Sequence, residues 1–237
     1  MAAILELRDV SFFTREADVL RPVSYAYESG KTTALVGPPG SGKSILLKLS
    51  AGLLLPSKGT VLFKGQDIAG MNRLQNLAFR KQSAVVFQDS ALWANQSIYQ
   101  NLELPLKIHY PNHTGKDRDR RIKEVLAEVG YSKDIHLRPA DLSRGEQKLV
   151  AFARAMLCSP GLLFLDEWTE SLDDNASSRL IAIVRQMRQQ GGTVIFVSHN
   201  PAIIRNLADY ILPVVNGKLS AVMTKEQFTG ELTGIIS

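Results

Sequence analysis

The sequence predicts an α/β fold: a mainly parallel sheet with an antiparallel β segment and an inserted α-helical subdomain. Two patterns carry this expectation. Four strand-length runs are apolar at nearly every position, TTALVG at 32–37, SAVVFQ at 83–88, LLFL at 162–165 and TVIFV at 193–197, as strands buried on both faces require. Strands alternating with helical periods imply a parallel sheet. From Asp89 to Ala155 no such run occurs, and helical spacing with polar loops marks an insertion into the α/β core.

Taken in order, LELRDVSF alternates like a strand, with Leu5, Leu7, Val10 and Phe12 at inward positions. A helix follows TTALVG from Ser44, with Ile45, Leu46, Leu47 and Leu49 on its buried side, and it fades at Gly52 and Pro56. GTVLFKGQDI reads as two short β segments around a Lys64-Gly65 turn. In the insertion, Ile122, Val125, Leu126 and Val129 fall at i, i+3, i+4 and i+7, the stripe of an amphipathic helix. KDRDRRIKE at 116–124 mixes signs, so it reads as a solvated face of that helix rather than a nucleic-acid patch. YILPVVNGKLSAVM closes the fold as a hairpin turned at Asn216-Gly217. There is no internal repeat.

Composition bounds the class. The 237 residues are 45% hydrophobic and 22% charged, enough for a globular core and unlike a disordered or fibrous chain. No apolar stretch approaches the ~18 residues of a membrane span, and MAAILELRDV lacks the pattern of a cleaved leader, so a soluble chain is expected. The single cysteine, Cys158, excludes an internal disulfide, fits a reducing compartment and reads as a small buried residue. The formal charge of +5 suits nucleic acid, nucleotide or an anionic membrane face without choosing among them.

Two stretches carry chemistry. GPPGSGKS, residues 37–44, matches G-x-x-x-x-G-K-[ST] between a predicted strand and a predicted helix, which makes the core that of a P-loop NTPase. Its glycines let the backbone wrap phosphate oxygens, and the helix behind points its positive end at them. Gly37, Pro38, Pro39, Gly40, Ser41, Gly42, Lys43, Ser44 and Ile45 are therefore the expected ATP-binding run, with Lys43 on the β and γ phosphates and Ser44 on Mg2+. LLFLDE places two carboxylates, Asp166 and Glu167, side by side at a strand end, where each raises the other's pKa unless a cation intervenes. Mg2+ and a water resolve that conflict: Asp166 serves the metal and Glu167 the attacking water.

Four further stretches resemble the motifs of ATP-binding cassette (ABC) ATPases. LSRGEQ at 142–147 is similar to the family's LSGGQ signature, Gln88 stands where the family keeps its Q-loop glutamine, and His199, ending TVIFVSH, stands at its switch histidine. ESLD at 170–173 resembles the D-loop, with Asp173 as its acid. The order is the family's, and the resemblance covers essentially the whole chain. It implies a single cassette over 1–237, with 1–88 and 156–237 as a RecA-like nucleotide-binding core and 89–155 as the helical signature subdomain. It also implies that Glu167, His199, Gln88 and Lys43 act in catalysis and that Ser44, Gln88 and Asp166 hold the metal. Ser143, Arg144, Gly145, Glu146 and Asp173 would contact ATP across a head-to-tail dimer, so a second subunit, expected as an identical copy, is needed. Ser143 also reads as the N-cap of the helix that follows, with Glu146 completing a capping box.

The chain departs from the family pattern at several positions. Arg144 replaces the first signature glycine, which is strained if that position needs a positive φ, and it stands two residues from Glu146 as a candidate charge pair. Trp168 replaces a proline and Leu149 an arginine. The adenine-stacking ring falls nearest Phe12 and Phe13, of which Phe13 is the expected contact. His109, His113 and His136 read as surface or loop residues, and no zinc site is expected, because Pro111 interrupts the i, i+4 pair.

Two roles fit such a cassette. One is the nucleotide-binding subunit of a membrane transporter, peripheral on the cytoplasmic face of the inner membrane and driving separate transmembrane permease subunits. The other is a non-transport ATPase acting on nucleic acid, ribosomes or Fe–S assembly. Ribosome-type members carry two cassettes with a charged linker and DNA-repair members long coiled-coil insertions; with neither pattern present, transport is expected and nucleic acid is not. Leu92, Trp93, Ile98 and Tyr99, just after Gln88, suit either a groove for a permease helix or the subdomain core. ALWANQSIYQNLELPL also resembles ATPases of MCE-associated lipid-transport systems, which implies a phospholipid substrate. The short stretch after the hairpin implies no appended regulatory domain.

Overall fold

A computed structural model describes residues 2–228; the ends of the expected cassette, residue 1 and residues 229–237, lie outside it. In chain order the first half holds β1 (Ala3–Phe13), β2 (Asp18–Glu28), β3 (Thr32–Val36), α1 (Lys43–Ser50), β4 (Lys58–Phe63), β5 (Gln66–Asp67), α2 (Arg73–Gln82) and β6 (Ser83–Val86). Helices α3 (Ile98–His109), α4 (Gly115–Val129) and α5 (Arg144–Met156) follow with no strand between them. The remainder is β7 (Leu162–Asp166), α6 (Asp174–Gln189), β8 (Thr193–Val197), α7 (Pro201–Leu207), β9 (Tyr210–Val215), β10 (Lys218–Leu219) and β11 (Met223–Thr224).

The strands form two sheets. β2-β1-β4-β5 is antiparallel, and the larger sheet runs β10-β9-β3-β8-β7-β6 with β11 also on β9. From β6 to β9 every pairing is parallel, and β10 and β11 pair antiparallel. All residues of β3, β7 and β8 are buried, whereas β6, also read as a buried strand, lies at the sheet edge with only Val86 buried. Alternation then divides two cores. Ala34, Val36, Leu163, Leu165, Val194 and Phe196 share a core with α3, α4, α5, α6 and α7, whereas Leu35, Leu162, Phe164, Ile195 and Val197 share one with α1, Phe79 of α2 and the antiparallel sheet. The predicted stripe Ile122, Val125, Leu126 and Val129 is buried, and α4 begins at a Thr114 capping box and ends at Gly130 in the left-handed region.

Several expectations need correction. β2 and α2 are not among the predicted elements. Of the predicted inward positions, Phe12 and Ile45 are only half-buried. The charge run in α4 is not wholly solvated: Arg118 Nε donates to Glu103 Oε1 at 3.0 Å, and the Arg121 guanidinium donates to the Met156 and Leu157 carbonyls at 3.1 and 3.2 Å. These two arginines fasten α4 to α3 and to the end of α5. His109 ends α3 half-buried instead of lying in a loop, and Cys158 is half-buried, its thiol pKa pushed up by burial.

The hairpin between β9 and β10 reaches back to the loop before α1. Asn216 and Gly217 both take positive φ, 48° and 72°, the two-residue turn that matches strand twist. Gly217 N–H donates to Ser41 O at 3.1 Å, and Arg21 N–H donates to Gly217 O at 2.8 Å. A Cβ at Gly217 would stand 2.6 Å from Val19 O, so only glycine lets β2, the hairpin and the glycine-rich loop meet.

The stripe on α4 supports one test of the packing. Ile122→Ala should cost about 2–5 kcal/mol of stability, since Ile122 is 1% exposed and its loss leaves a cavity. Denaturant unfolding checks this; a loss below about 1 kcal/mol would contradict the burial.

Candidate functional site

Parallel register brings four strand ends to one rim. β3 leads into Gly37–Ser44, β6 into Gln88, β7 into Asp166 and Glu167, and β8 into Ser198 and His199. Ligands of open α/β sheets gather at this edge because loops and helix N-termini converge there. Gly37, Gly40 and Gly42 take positive φ, and Lys43 Nζ donates to the carbonyls of Gly37 and Pro38 at 2.9 and 2.8 Å. Burial lowers the Lys43 pKa, opposed by the Glu167 and Asp166 carboxylates.

Ser44 Oγ donates to Asp166 Oδ1 at 3.1 Å. A hydroxyl and one buried carboxylate form the sparse hard-oxygen set that suits Mg2+, which keeps waters and phosphate oxygens as its other ligands. Burial raises the Asp166 pKa, so its ionised form calls for a cation. Ser44, Gln88 and Asp166 line a common cleft of about 720 Å³.

Glu167 stands at φ 43°, unusual for a residue with a side chain, and its carboxyl is pushed up to about 7, chiefly by burial and partly by Asp166 and Glu170. Its Oε1 is buried without a hydrogen bond; His199 Nε2 approaches to 3.4 Å without the alignment to make one. His199 itself is half-exposed, its pKa lowered by burial and then by Lys43. A second cleft of about 860 Å³ is lined by Pro39, Gly40, Lys43, Ser44, Gln88, Glu167 and His199. A base poised near neutrality beside a phosphate loop is the arrangement that water activation requires.

Ser143 caps α5: its Oγ accepts from Glu146 N–H at 3.2 Å, and its N–H and Oγ donate to Glu146 Oε2 at 2.8 and 2.9 Å, the predicted capping box. Arg144 opens the helix and has no positive φ, so its replacement of glycine is not strained. The candidate Arg144–Glu146 pair is absent; Glu146 binds Lys133 at 2.8 Å instead, which the capping box permits by turning the carboxylate away. A Cβ at Gly145 would stand 2.8 Å from Ser171 O, a close approach that fixes glycine there. Ser143, Arg144, Gly145, Glu146 and Asp173 line one further cleft, between the start of α5 and the start of α6.

Phe13 is 47% exposed at the end of β1 and lines none of these clefts. Ile98 is fully buried and belongs to the core, and Tyr99 and Leu92 are half-buried against it, with the Tyr99 hydroxyl donating to Asp119 Oδ1 at 2.6 Å. Trp93 is 53% exposed, although its backbone is anchored by Asn101, whose Oδ1 accepts from Trp93 N–H at 2.8 Å. Trp168 is completely buried, stacked on Phe152 with ring centroids 5.7 Å apart. Sequence reasoning missed Lys148, Glu170 and Lys48, all in the wall of the Ser44–Asp166 cleft. Lys148 had a visible signal: it falls on the buried stripe of α5 with Ala151, Phe152 and Ala155, where a lysine needs a partner.

Residues 20–170 match the family model described as ABC transporter. The methionine import ATP-binding protein MetN 1 of Pseudomonas putida is 32% identical over 206 residues, 86% of this chain and 61% of that relative. An uncharacterized ABC transporter ATP-binding protein of Thermotoga maritima is 35% identical over 84% of this chain and 87% of its own length. Among solved structures, a dimeric ATP-binding cassette in a post-hydrolysis state bound to ADP and Pi superposes with a TM-score of 0.86 at 25% identity, over 94% of this chain and all of that one. The chain thus spans less than two thirds of the methionine import relative and 39% of the ABC transporter ATP-binding protein YejF of Escherichia coli.

The raised Glu167 pKa fixes a pH dependence. A carboxyl whose folded pKa lies above its unfolded value of 4.5 contributes stability below about pH 4.5, lost as pH rises through about 7. Asp166 acts in the same direction. Glu167→Gln should therefore raise the melting temperature at pH 8 and shrink the fall in stability between about pH 5 and 8. Thermal unfolding across that range checks it, and an unchanged profile would contradict the burial of a costly charge.

Proposed function

The chain belongs to the ABC transporter family of ATP-binding cassettes, and from that premise we propose that it is an ATPase subunit that hydrolyses MgATP to drive separate transmembrane subunits. The observation that carries this reading is the Ser44–Asp166 hydrogen bond beside Glu167, whose carboxyl is pushed up to about 7 by burial. Lys43 and the backbone N–H groups of residues 40–44, past the donorless Pro38 and Pro39, bind the phosphates. Ser44, Asp166 and Gln88 would hold Mg2+, which neutralises charge on the phosphate oxygens when bound. Glu167 accepts a proton from the attacking water, for which its raised pKa suits it at neutral pH. His199, neutral at that pH because its own pKa is lowered, donates a hydrogen bond to the γ phosphate.

The clefts on the two sides of α5 support a head-to-tail homodimer. Ser143, Arg144, Gly145, Glu146 and Asp173 face outward and meet ATP held by a second copy. The dimeric state named for the structural neighbour supports the same arrangement. Among the described residues no helix is long and apolar enough to cross a membrane. Trp93, exposed on an anchored loop next to Gln88, supports docking of a permease there on the cytoplasmic face. The names of the relatives favour import of an amino acid of the methionine type. None of those reported carries the name of a lipid transporter, so the phospholipid expectation has no support from them.

Two variants test the reading. Lys43→Ala should weaken ATP binding roughly 10–100-fold, the worth of a charge-assisted phosphate contact. Glu167→Gln should bind ATP normally, accumulate as a dimer with it, and lose roughly 10²–10⁴ in kcat. ATP titration, sizing with ATP and phosphate release read these outcomes; unimpaired turnover by Glu167→Gln would move the water-activating role elsewhere.

A further inference from the structure

Two hydrogen bonds grip Gln88 from different elements. Lys148 of α5 is 3% exposed, and its ammonium donates to the carbonyls of Phe87, at 3.3 Å, and Gln88. On the side-chain end, Gln88 Nε2 donates to Glu170 Oε2 at 3.1 Å, from the turn after β7.

Each bond answers a physical requirement. An ammonium on the buried stripe of a helix is costly unless its donors are used, and the two carbonyls at the end of β6 take two of its three. Glu170, Asp89, Asp166 and Glu167 surround it with opposite charge, offsetting the downward pull of burial on its pKa. The second bond selects an orientation. A glutamine amide can approach a cation only through its oxygen, and an ionised carboxylate only accepts hydrogen bonds. Glu170 therefore claims the NH2 end of Gln88 and leaves Oε1 free. A neutral side chain at 170 would not choose between the two flips of the amide.

We infer that Lys148 and Glu170 are positioning residues for Gln88: α5 sets its backbone, and the turn after β7 sets which end of its amide is available to the Ser44–Asp166 pair. The inference rests on the proposed function, in which Gln88 serves the Mg2+ of bound ATP. It makes the stance of Gln88 depend on α5, the helix that carries Ser143 and Arg144 at its start. The cleft for the chain's own metal and the surface that meets a second copy then share one support.

The test uses the full chain with Glu170→Gln, Lys148→Met and Lys148→Arg. Magnesium is titrated against thermal stabilisation at saturating non-hydrolysable ATP analogue, a readout without turnover, and against hydrolysis at fixed ATP. Glu170→Gln and Lys148→Met should raise the half-saturating magnesium concentration about three- to tenfold, less than the loss of a direct charge-assisted contact because both act through Gln88, with metal-free ATP affinity unchanged. Lys148→Arg, which keeps a donating cation, should stay within about twofold of wild type. A merely structural role would instead lower metal-free ATP affinity and melting temperature together, and that pattern overturns the inference. Should Lys148→Met fail to fold, Glu170→Gln, at an exposed position, decides alone. Wild-type hydrolysis with unchanged magnesium dependence in the variants defeats the inference only; a wild type that does not hydrolyse MgATP defeats the functional reading and the inference with it.

Discussion

Burial of β3, β7 and β8 on both faces constrains everything else in this molecule. A strand covered on two sides has no solvent face on which to carry a functional side chain, so chemistry is displaced to its ends. Parallel register then puts the ends of β3, β6, β7 and β8 on the same rim. The glycine-rich loop, Gln88, the two acids and His199 are neighbours for that reason, although they are scattered over most of the sequence. Helices on one face, and α1 with a second sheet on the other, cover these apolar residues, and the starts of α1 and α5 reach the rim from the two sides.

The rim is electrostatically expensive. Asp166 and Glu167 are buried next to one another with pKa values raised, and Lys43 and Lys148 are buried near them with theirs lowered. Each group is held in an environment that disfavours its charged form; Lys43 and Lys148 are tied to backbone carbonyls and Asp166 to the Ser44 hydroxyl, whereas Glu167 Oε1 has no hydrogen bond. Such a cluster is stable enough to persist within a well-packed fold yet poised to respond when an anion and a cation arrive together. The positive φ at Glu167 is a further local cost borne at the same place.

Much of this was legible because it is written in period and order. Unbroken apolar runs identified the central strands, i, i+3, i+4 spacing identified α4, and the glycine-rich loop, acids and histidine announced the rim. What escaped had a weak local signal. β2 carries Arg21-Pro22 in its middle, and a proline is tolerated there because β2 is an edge strand, a fact that only the sheet order reveals. α2 buries Phe79 alone, so it has almost no stripe to detect. The partners of Gln88 escaped for a different reason: Lys148 and Glu170 lie far from it in sequence, and hydrogen bonds between distant residues leave no period. The candidate pair of Arg144 with Glu146 erred in the opposite direction, since proximity in sequence suggested it while the capping geometry at Ser143 turned Glu146 toward Lys133.

The hydrogen bond from Gly217 to Ser41 carries a consequence for synthesis. The glycine-rich loop emerges early from the ribosome, but part of its backbone is tethered by a turn close to the end of the described chain, and β9, which leads into that turn, is also the neighbour of β3. While translation is in progress the loop therefore lacks one of its walls until residues 210–217 have been made.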